Sequence, residues 1–187
     1  MFVPIDPKYI TTLVKVPMII VDPNTILGFL SGSSSDYKNR FIDEIIAWDD
    51  EQLERCADQF QWIFPLHEES SMAFIYPVID KNIVELSEDI PEVRDNIIFA
   101  CERFKKFLGV GDYLDEEKQK KWCTKNNHNF LRITRVIRSL RLFGCENEAL
   151  DFYKSIVECP MVKINVDLKT KSFWKKAMFE GMWQSIK

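Results

Sequence analysis

The chain has 187 residues, 46% hydrophobic and 29% charged, a length and balance that suit one soluble globular domain and leave little room for two. Six glycines and eight prolines exclude collagen-like and low-complexity chains, and no apolar run approaches the ~20 residues that cross a bilayer as a helix. The net charge of −4 conceals an asymmetry: residues 1–100 hold 18 acidic and 7 basic side chains (net −11), residues 101–187 hold 11 and 18 (net +7), whereas a nucleic-acid binder is usually basic as a whole.

Residues 1–28 read as an irregular N-terminal arm. Pro4, Pro7, Pro17 and Pro23 break any long helix, and Val14 to Val21 suits a short strand or an extended segment. Ser31-Gly32-Ser33-Ser34-Ser35 is a loop by composition. Helical spacing then begins: Phe41, Ile42, Ile45 and Ile46, with Trp48 next on the stripe, line one face. Asp49-Asp50 caps a second helix with the stripe Leu53, Cys56, Ala57 and Phe60, which ends at Phe64 because the residue before Pro65 disfavours helix. Residues 65–79 read as an irregular connection, followed by a short helix from Asp80 to Leu86.

A longer helix opens near Pro91, carries Ile90, Val93, Ile97, Cys101, Phe104 and Leu108 inward, and stops at Gly109. The charged run Gly111–Lys121 reads as exposed. A helical hairpin follows. Its first arm runs from an Asn127 cap to Phe143 and closes at Gly144. Its second arm covers Glu146 to Val157, with Leu150, Tyr153 and Val157 inward and Pro160 beyond the stop. Phe173, Trp174, Ala177, Met178 and Met182 mark a last helix between Lys171 and Ile186. Strand signals are few, so the expected fold is all-α: a single helical bundle with an irregular N-terminal arm. Its parts are the arm (1–28), the helical domain (29–158) and a C-terminal helical extension of that domain (159–187).

Cys56, Cys101, Cys123, Cys145 and Cys159 are odd in number and form no CxxC pair, and the two histidines, His67 and His128, are far apart. Neither a structural metal site nor a cofactor motif is expected. Four of these cysteines, all but Cys123, sit in apolar helical patterns, which points to buried free thiols in a reducing, cytoplasmic compartment. The N-terminus lacks the pattern of a cleaved signal peptide.

Two segments carry a family signature. The first is Trp48-Asp49-Asp50-Glu51-Gln52-Leu53-Glu54 followed by Phe60-Gln61-Trp62-Ile63-Phe64-Pro65-Leu66. The second runs Asn127-His128-Asn129-Phe130-Leu131-Arg132-Ile133-Thr134-Arg135-Val136-Ile137-Arg138-Ser139-Leu140, with Leu142-Phe143-Gly144 and Glu148-Ala149 after it. Together with Phe29-Leu30-Ser31-Gly32, Asp36 and Arg40 they resemble the conserved N-terminal region of the opioid growth factor receptor family, from about Phe29 to Val157. Asp58 and Phe60 stand where that family commonly has His and Tyr. The resemblance implies an enkephalin-type peptide receptor at the nuclear envelope for the animal members. The family also has short bacterial and microbial members, which this chain, lacking the long repetitive tail, looks more like. The resemblance brings no established catalytic residue.

On the 130–143 helix, Phe130, Ile133, Val136, Ile137, Leu140 and Phe143 form a core face, and Arg132, Arg135, Arg138 and Arg141 sweep the other side with Leu131 and Leu142 among them. A helix apolar on two sides is central, and arginines there need carboxylates or carbonyls. Asp43, Glu44, Asp49, Asp50, Glu51 and Glu54 are the acidic candidates, so the first expectation is that Arg132 and Arg135 clamp the two motifs together by ion pairs. His128 is expected to make a cap-region hydrogen bond.

The functional expectation is a non-enzymatic domain that binds a peptide or protein segment beside Trp62, His128, Asn129, Arg132 and Arg135. Two alternatives stay open. A nucleic-acid module would use Lys118, Lys121, Trp122, Arg138 and Arg141 of the basic half, and an enzyme would use a His128, Arg132 and Asp49 site.

Overall fold

A computed structural model describes residues 21–68, 76–181 and 183 of the chain. Among these residues there are eleven α-helices, a 3₁₀ turn (Gly111–Tyr113) and no strand; an isolated parallel bridge joins Leu66 and Val78. The all-α expectation holds. Val14–Ile20, Pro4, Pro7, Pro17 and Met182 lie outside the described residues.

α1 (Pro23–Ser31) begins inside the segment expected to be irregular. Pro23 starts this helix instead of breaking it: it sits in the first turn, where its missing N–H has no helical partner to lose. Asp22 caps the helix by accepting from the Thr25 amide, and Gly32 ends it at φ 82°. The serine loop follows as read.

α2 (Ile42–Ile46) is short, and Trp48 falls beyond it, its ring 5.7 Å from the Arg40 guanidinium. α3 (Asp50–Arg55) starts with a reciprocal cap: Gln52 N donates to Asp49 Oδ1 at 2.8 Å and Asp49 N donates to Gln52 Oε1 at 3.1 Å. The stripe Leu53, Cys56, Ala57, Phe60 predicted one helix; the structure has two, because Cys56 is extended at ψ 133° and α4 (Gln59–Ile63) starts afresh. The break survives because the freed carbonyls are met by side chains. Gln59 Nε2 donates to Cys56 O at 2.8 Å, and Arg132 Nη2 donates to Cys56 O at 2.9 Å and to Glu54 O at 3.3 Å. α4 ends at Phe64 as the proline predicts.

α5 (Lys81–Ser87) is capped by Asp80. α6 (Pro91–Leu108) buries Val93, Ile97, Cys101, Phe104 and Leu108 as its stripe predicts. Gly109 ends it at φ 66°, with the Asp115 carbonyl where a Cβ would come to 2.7 Å. α7 (Glu116–Trp122) is mostly exposed as expected, but Gln119 and Trp122 are buried. They dock α7 on the end of α6: Trp122 Nε1 donates to Leu108 O at 2.8 Å, Gln119 Nε2 to Gly109 O at 2.6 Å, and Lys118 Nζ to Lys106 O at 2.9 Å.

α8 (Asn129–Leu142) and α9 (Glu146–Glu158) form the hairpin. The core face of α8 is the one read from its spacing, but Leu131 is 65% exposed, so only Leu142 makes its second side apolar and buried. On α9 the buried stripe is Ala149, Phe152 and Ile156, not Leu150, Tyr153 and Val157. Both triplets fit i, i+3, i+7; the second flanks the core, with Tyr153 edge-on to Phe179. Pro160, placed beyond a stop, opens α10 (Pro160–Asn165). α11 (Leu168–Phe179) packs along α8, and Trp174 Nε1 donates to Phe130 O at 3.1 Å. One cluster of buried side chains runs from Val21 to Met178.

Candidate functional site

The arginines of α8 reach the segment from Glu54 to Glu68 and the end of α11. Arg132, 7% exposed, donates to Asn129 Oδ1 at 3.0 Å as well as to the α3 carbonyls, lies 3.5 Å from Glu54 Oε2 and rests 4.5 Å above the Phe60 ring. Arg135 donates to Phe64 O at 3.0 Å. Arg138 grips Glu68 with both Nη atoms, at 2.8 and 2.9 Å. Arg141 holds the end of α11 through Ala177 O at 2.6 Å and Glu180 O at 3.0 Å. The clamp between the two signature segments is therefore built mainly on carbonyls, with Glu54 the one acidic candidate that joins it. Burial lowers the pKa of Arg132, and burial with the neighbouring Arg138 pulls Arg135 down to about 10, still charged at neutral pH.

Above this clamp lies a cleft of about 350 Å³ between α3 and α7. Asp50, Glu51 and Glu54 form one wall, Lys118 and Lys121 the other, and Phe107, Trp122 and Asn129 complete the lining. The acidic wall faces the cleft because α3 places residues 50, 51 and 54 on one side of a helix. The basic wall faces it because α7 is fixed by its three donors to the end of α6.

Several of these charges are already engaged. Asp50 bridges Arg103 at 2.7 Å and Lys118 at 2.8 Å. Burial pushes the Asp50 carboxyl pKa up, and the hydrogen bonds from Lys118 and Arg103 more than reverse this, leaving it below the ordinary carboxylate value. Glu54 sits 3.2 Å from His128 Nε2 and 3.5 Å from Arg132 Nη1. Glu51 pairs with Arg55. Lys121 is exposed and makes no ion pair among the described residues.

Of the residues expected to bind a ligand, Asn129 lines the cleft, and His128 and Arg132 join its acidic rim through Glu54. The cap role falls to Asn127, whose Oδ1 accepts the Asn129 amide at 2.9 Å; the His128 side chain makes no cap hydrogen bond. Trp62 lies elsewhere, 1% exposed between Phe29 and Tyr37 in the core, and Arg135 is held at Phe64. Of the residues expected to contact nucleic acid, Lys118, Lys121 and Trp122 line the cleft, while Arg138 and Arg141 are engaged with Glu68 and the end of α11. Asp49 is used as a helix cap.

Sequence reasoning missed Phe107, which lies off the α6 core stripe, and missed that acidic and basic segments would face each other across open space. The carboxylates at positions 50, 51 and 54 were the available signal. Among the described residues, no three His, Cys, Asp or Glu side chains gather to hold a metal, and no helix is long and apolar enough to cross a membrane.

Residues 33–179 match the family described as the opioid growth factor receptor (OGFr) conserved region, a span that runs past position 158 and takes in α10 and α11. The opioid growth factor receptor of Mus musculus is 28% identical over 153 residues, 73% of this chain and 24% of that one. Opioid growth factor receptor-like protein 1 of Rattus norvegicus is 25% identical over 147 residues, 68% of this chain and 31% of that one. The Homo sapiens receptor is 27% identical over 136 residues, 66% of this chain and 20% of that one. The chain thus spans under a third of the length of these relatives. No solved structure matches it.

Proposed function

The chain belongs to the opioid growth factor receptor conserved-region family, and on that footing we propose that it acts by binding, without catalysis, a peptide or protein segment in the α3–α7 cleft. The observation that carries this reading is the pairing of Lys121, which makes no ion pair among the described residues, with an apolar lining and an opposed acidic wall. A volume of about 350 Å³ is at the small end of ligand sites, enough for one or two side chains of a longer segment. An acidic side chain meets Lys121, and a neighbouring apolar one lies against Phe107.

The names of the relatives, a receptor and a receptor-like protein, support a peptide or protein partner. The nucleic-acid reading has less support, because Arg138 and Arg141 are engaged internally and Lys118 is paired with Asp50. Isothermal titration with matched acidic–aromatic, neutral and basic peptides tests the proposal. Wild type is expected to favour the acidic peptide, and Lys121→Glu to reverse that preference. Absence of binding to every peptide, or an unchanged preference in the variant, defeats it. Binding to DNA or RNA that falls steeply with salt makes the alternative the better account.

A further inference from the structure

The opposite charges of the two halves are only partly spent on each other. On α11, at 100° per residue, Leu168, Lys169, Ser172, Lys175, Lys176 and Phe179 fall within about 120° of one another, on the side away from the buried Trp174, Ala177 and Met178. All six are exposed, Leu168 at 83% and Phe179 at 59%. Lys169, Lys175 and Lys176 make no ion pair among the described residues.

A second face has the opposite sign. On α6, Glu92, Asp95, Phe99 and Glu102 fall within about 80°, on the side away from the buried Val93, Ile97 and Phe104. Glu85 and Leu86 of α5, with Glu88 and Asp89 after them, are exposed just ahead of that stripe. Phe99 is 59% exposed and Leu86 44%. Glu85, Glu88, Asp89, Glu92 and Asp95 make no ion pair among the described residues. A merely solvated face intersperses the two signs and carries few large apolar side chains. Each of these faces keeps one sign over at least two turns and sets two large apolar side chains among the charges.

We propose that the lysine face of α11 docks on the acidic α5–α6 face of a second copy of this chain. Complementarity on both counts favours that occupant: three lysines meet a field of carboxylates, and Leu168 and Phe179 have Phe99 and Leu86 to cover. Exposed ion pairs each contribute little and are screened by salt, so the apolar side chains hold the contact and the charges set its register. The two patches differ, so a two-fold pair makes the contact twice, and any other arrangement adds copies head to tail. None of these residues lines the α3–α7 cleft, so the contact stands or falls apart from peptide binding.

Sedimentation equilibrium of the full chain, over a concentration series in low and in high salt, tests the proposal. The average mass is expected to rise above the monomer's with concentration, and the dissociation constant to weaken about tenfold between low and high salt. Lys169→Glu/Lys175→Glu/Lys176→Glu and Glu85→Lys/Glu92→Lys/Asp95→Lys are each expected to stay monomeric. Their equimolar mixture is expected to associate again, because each contact between the two variants pairs opposite charges. A wild type that is monomeric throughout the low-salt series overturns the proposal, as does association retained by either variant alone or a mixture that stays monomeric. If circular dichroism shows that a triple variant does not fold, the single changes Leu168→Ser and Phe99→Ser, both at exposed positions, carry the test. Each is expected to weaken association about tenfold, and an unchanged dissociation constant overturns the proposal.

Discussion

The guanidinium of Arg132 donates to the carbonyl of Cys56 at 2.9 Å, across 76 residues of sequence. It meets the carbonyl at the point where α3 gives way to α4, and the same group also serves Glu54 O and Asn129. A lysine has one point charge and no planar fork to divide among such partners.

Arg132→Ala is therefore expected to destabilise the fold by about 2–4 kcal/mol, since it takes the side-chain donor from Glu54 O, leaves Cys56 O with Gln59 and leaves the Glu54 carboxylate with His128 alone. Arg132→Lys recovers less than half of that. Urea unfolding measures both, and a loss under 1 kcal/mol for the alanine would show that water replaces the guanidinium freely.

Two buried indoles make a controlled pair. Trp174 Nε1 donates to Phe130 O, whereas Trp62 Nε1 has no hydrogen-bond partner among the described residues. Trp→Phe removes similar volume at each site. At 174 it also removes a buried hydrogen bond, although Thr134 Oγ1 still donates to Phe130 O at 3.0 Å, and at 62 it removes an unpaired donor. Trp174→Phe is expected to cost about 1–2 kcal/mol more than Trp62→Phe in chemical denaturation. Equal losses would refute the hydrogen-bond argument.

Gly109→Ala is expected to lower the denaturation midpoint sharply, by about 1–3 kcal/mol in stability. The residue stands at φ 66°, and the added Cβ meets the Asp115 backbone oxygen at 2.7 Å, an atom that already accepts the Gln119 amide of α7 at 3.0 Å. A neutral result would mean that the start of α7 shifts at little cost.

Acid should weaken the protein through Asp50 and Asp58, both of which titrate below the ordinary carboxylate value of 3.8. At each, burial alone would raise the pKa, and hydrogen bonds outweigh it: from Lys118 and Arg103 at Asp50, from Arg40 and Lys38 at Asp58. A depressed folded pKa gives stability that is present above the unfolded pKa and lost as pH falls through the folded one. Thermal melts from pH 7 downward should show Asp50→Asn and Asp58→Asn less stable than wild type at neutral pH. The gap should close below about pH 4. A constant gap would assign the losses to packing.

Local spacing was enough to locate α6, the core face of α8, and the stops at Phe64 and Gly109. It failed where a distant side chain decides the matter. Nothing near Cys56 announces a break, because Arg132 arrives from another helix. Pro23 was read by its usual interior effect, although position in the first turn reverses that effect. The phase of α9 was undecidable between two triplets of equal spacing until α8 and α11 packed against one of them. The cleft was legible only as two charged runs. Their juxtaposition depends on Trp122 and Gln119 finding the last carbonyls of α6, a tertiary event without a local signature.

The reach of the α8 arginines sets an order of events for a chain made from its N-terminus. Arg132, Arg135 and Arg138 close contacts over separations of 70 to 78 residues, all with the segment between Glu54 and Glu68. Until α8 emerges, that segment has α6 to pack against but lacks the arginine donors to Glu54 O, Phe64 O and the Glu68 carboxylate. The acidic half is therefore not expected to fold on its own, and a nascent chain halted before residue 129 is expected to stay protease-sensitive until the next few turns of helix emerge.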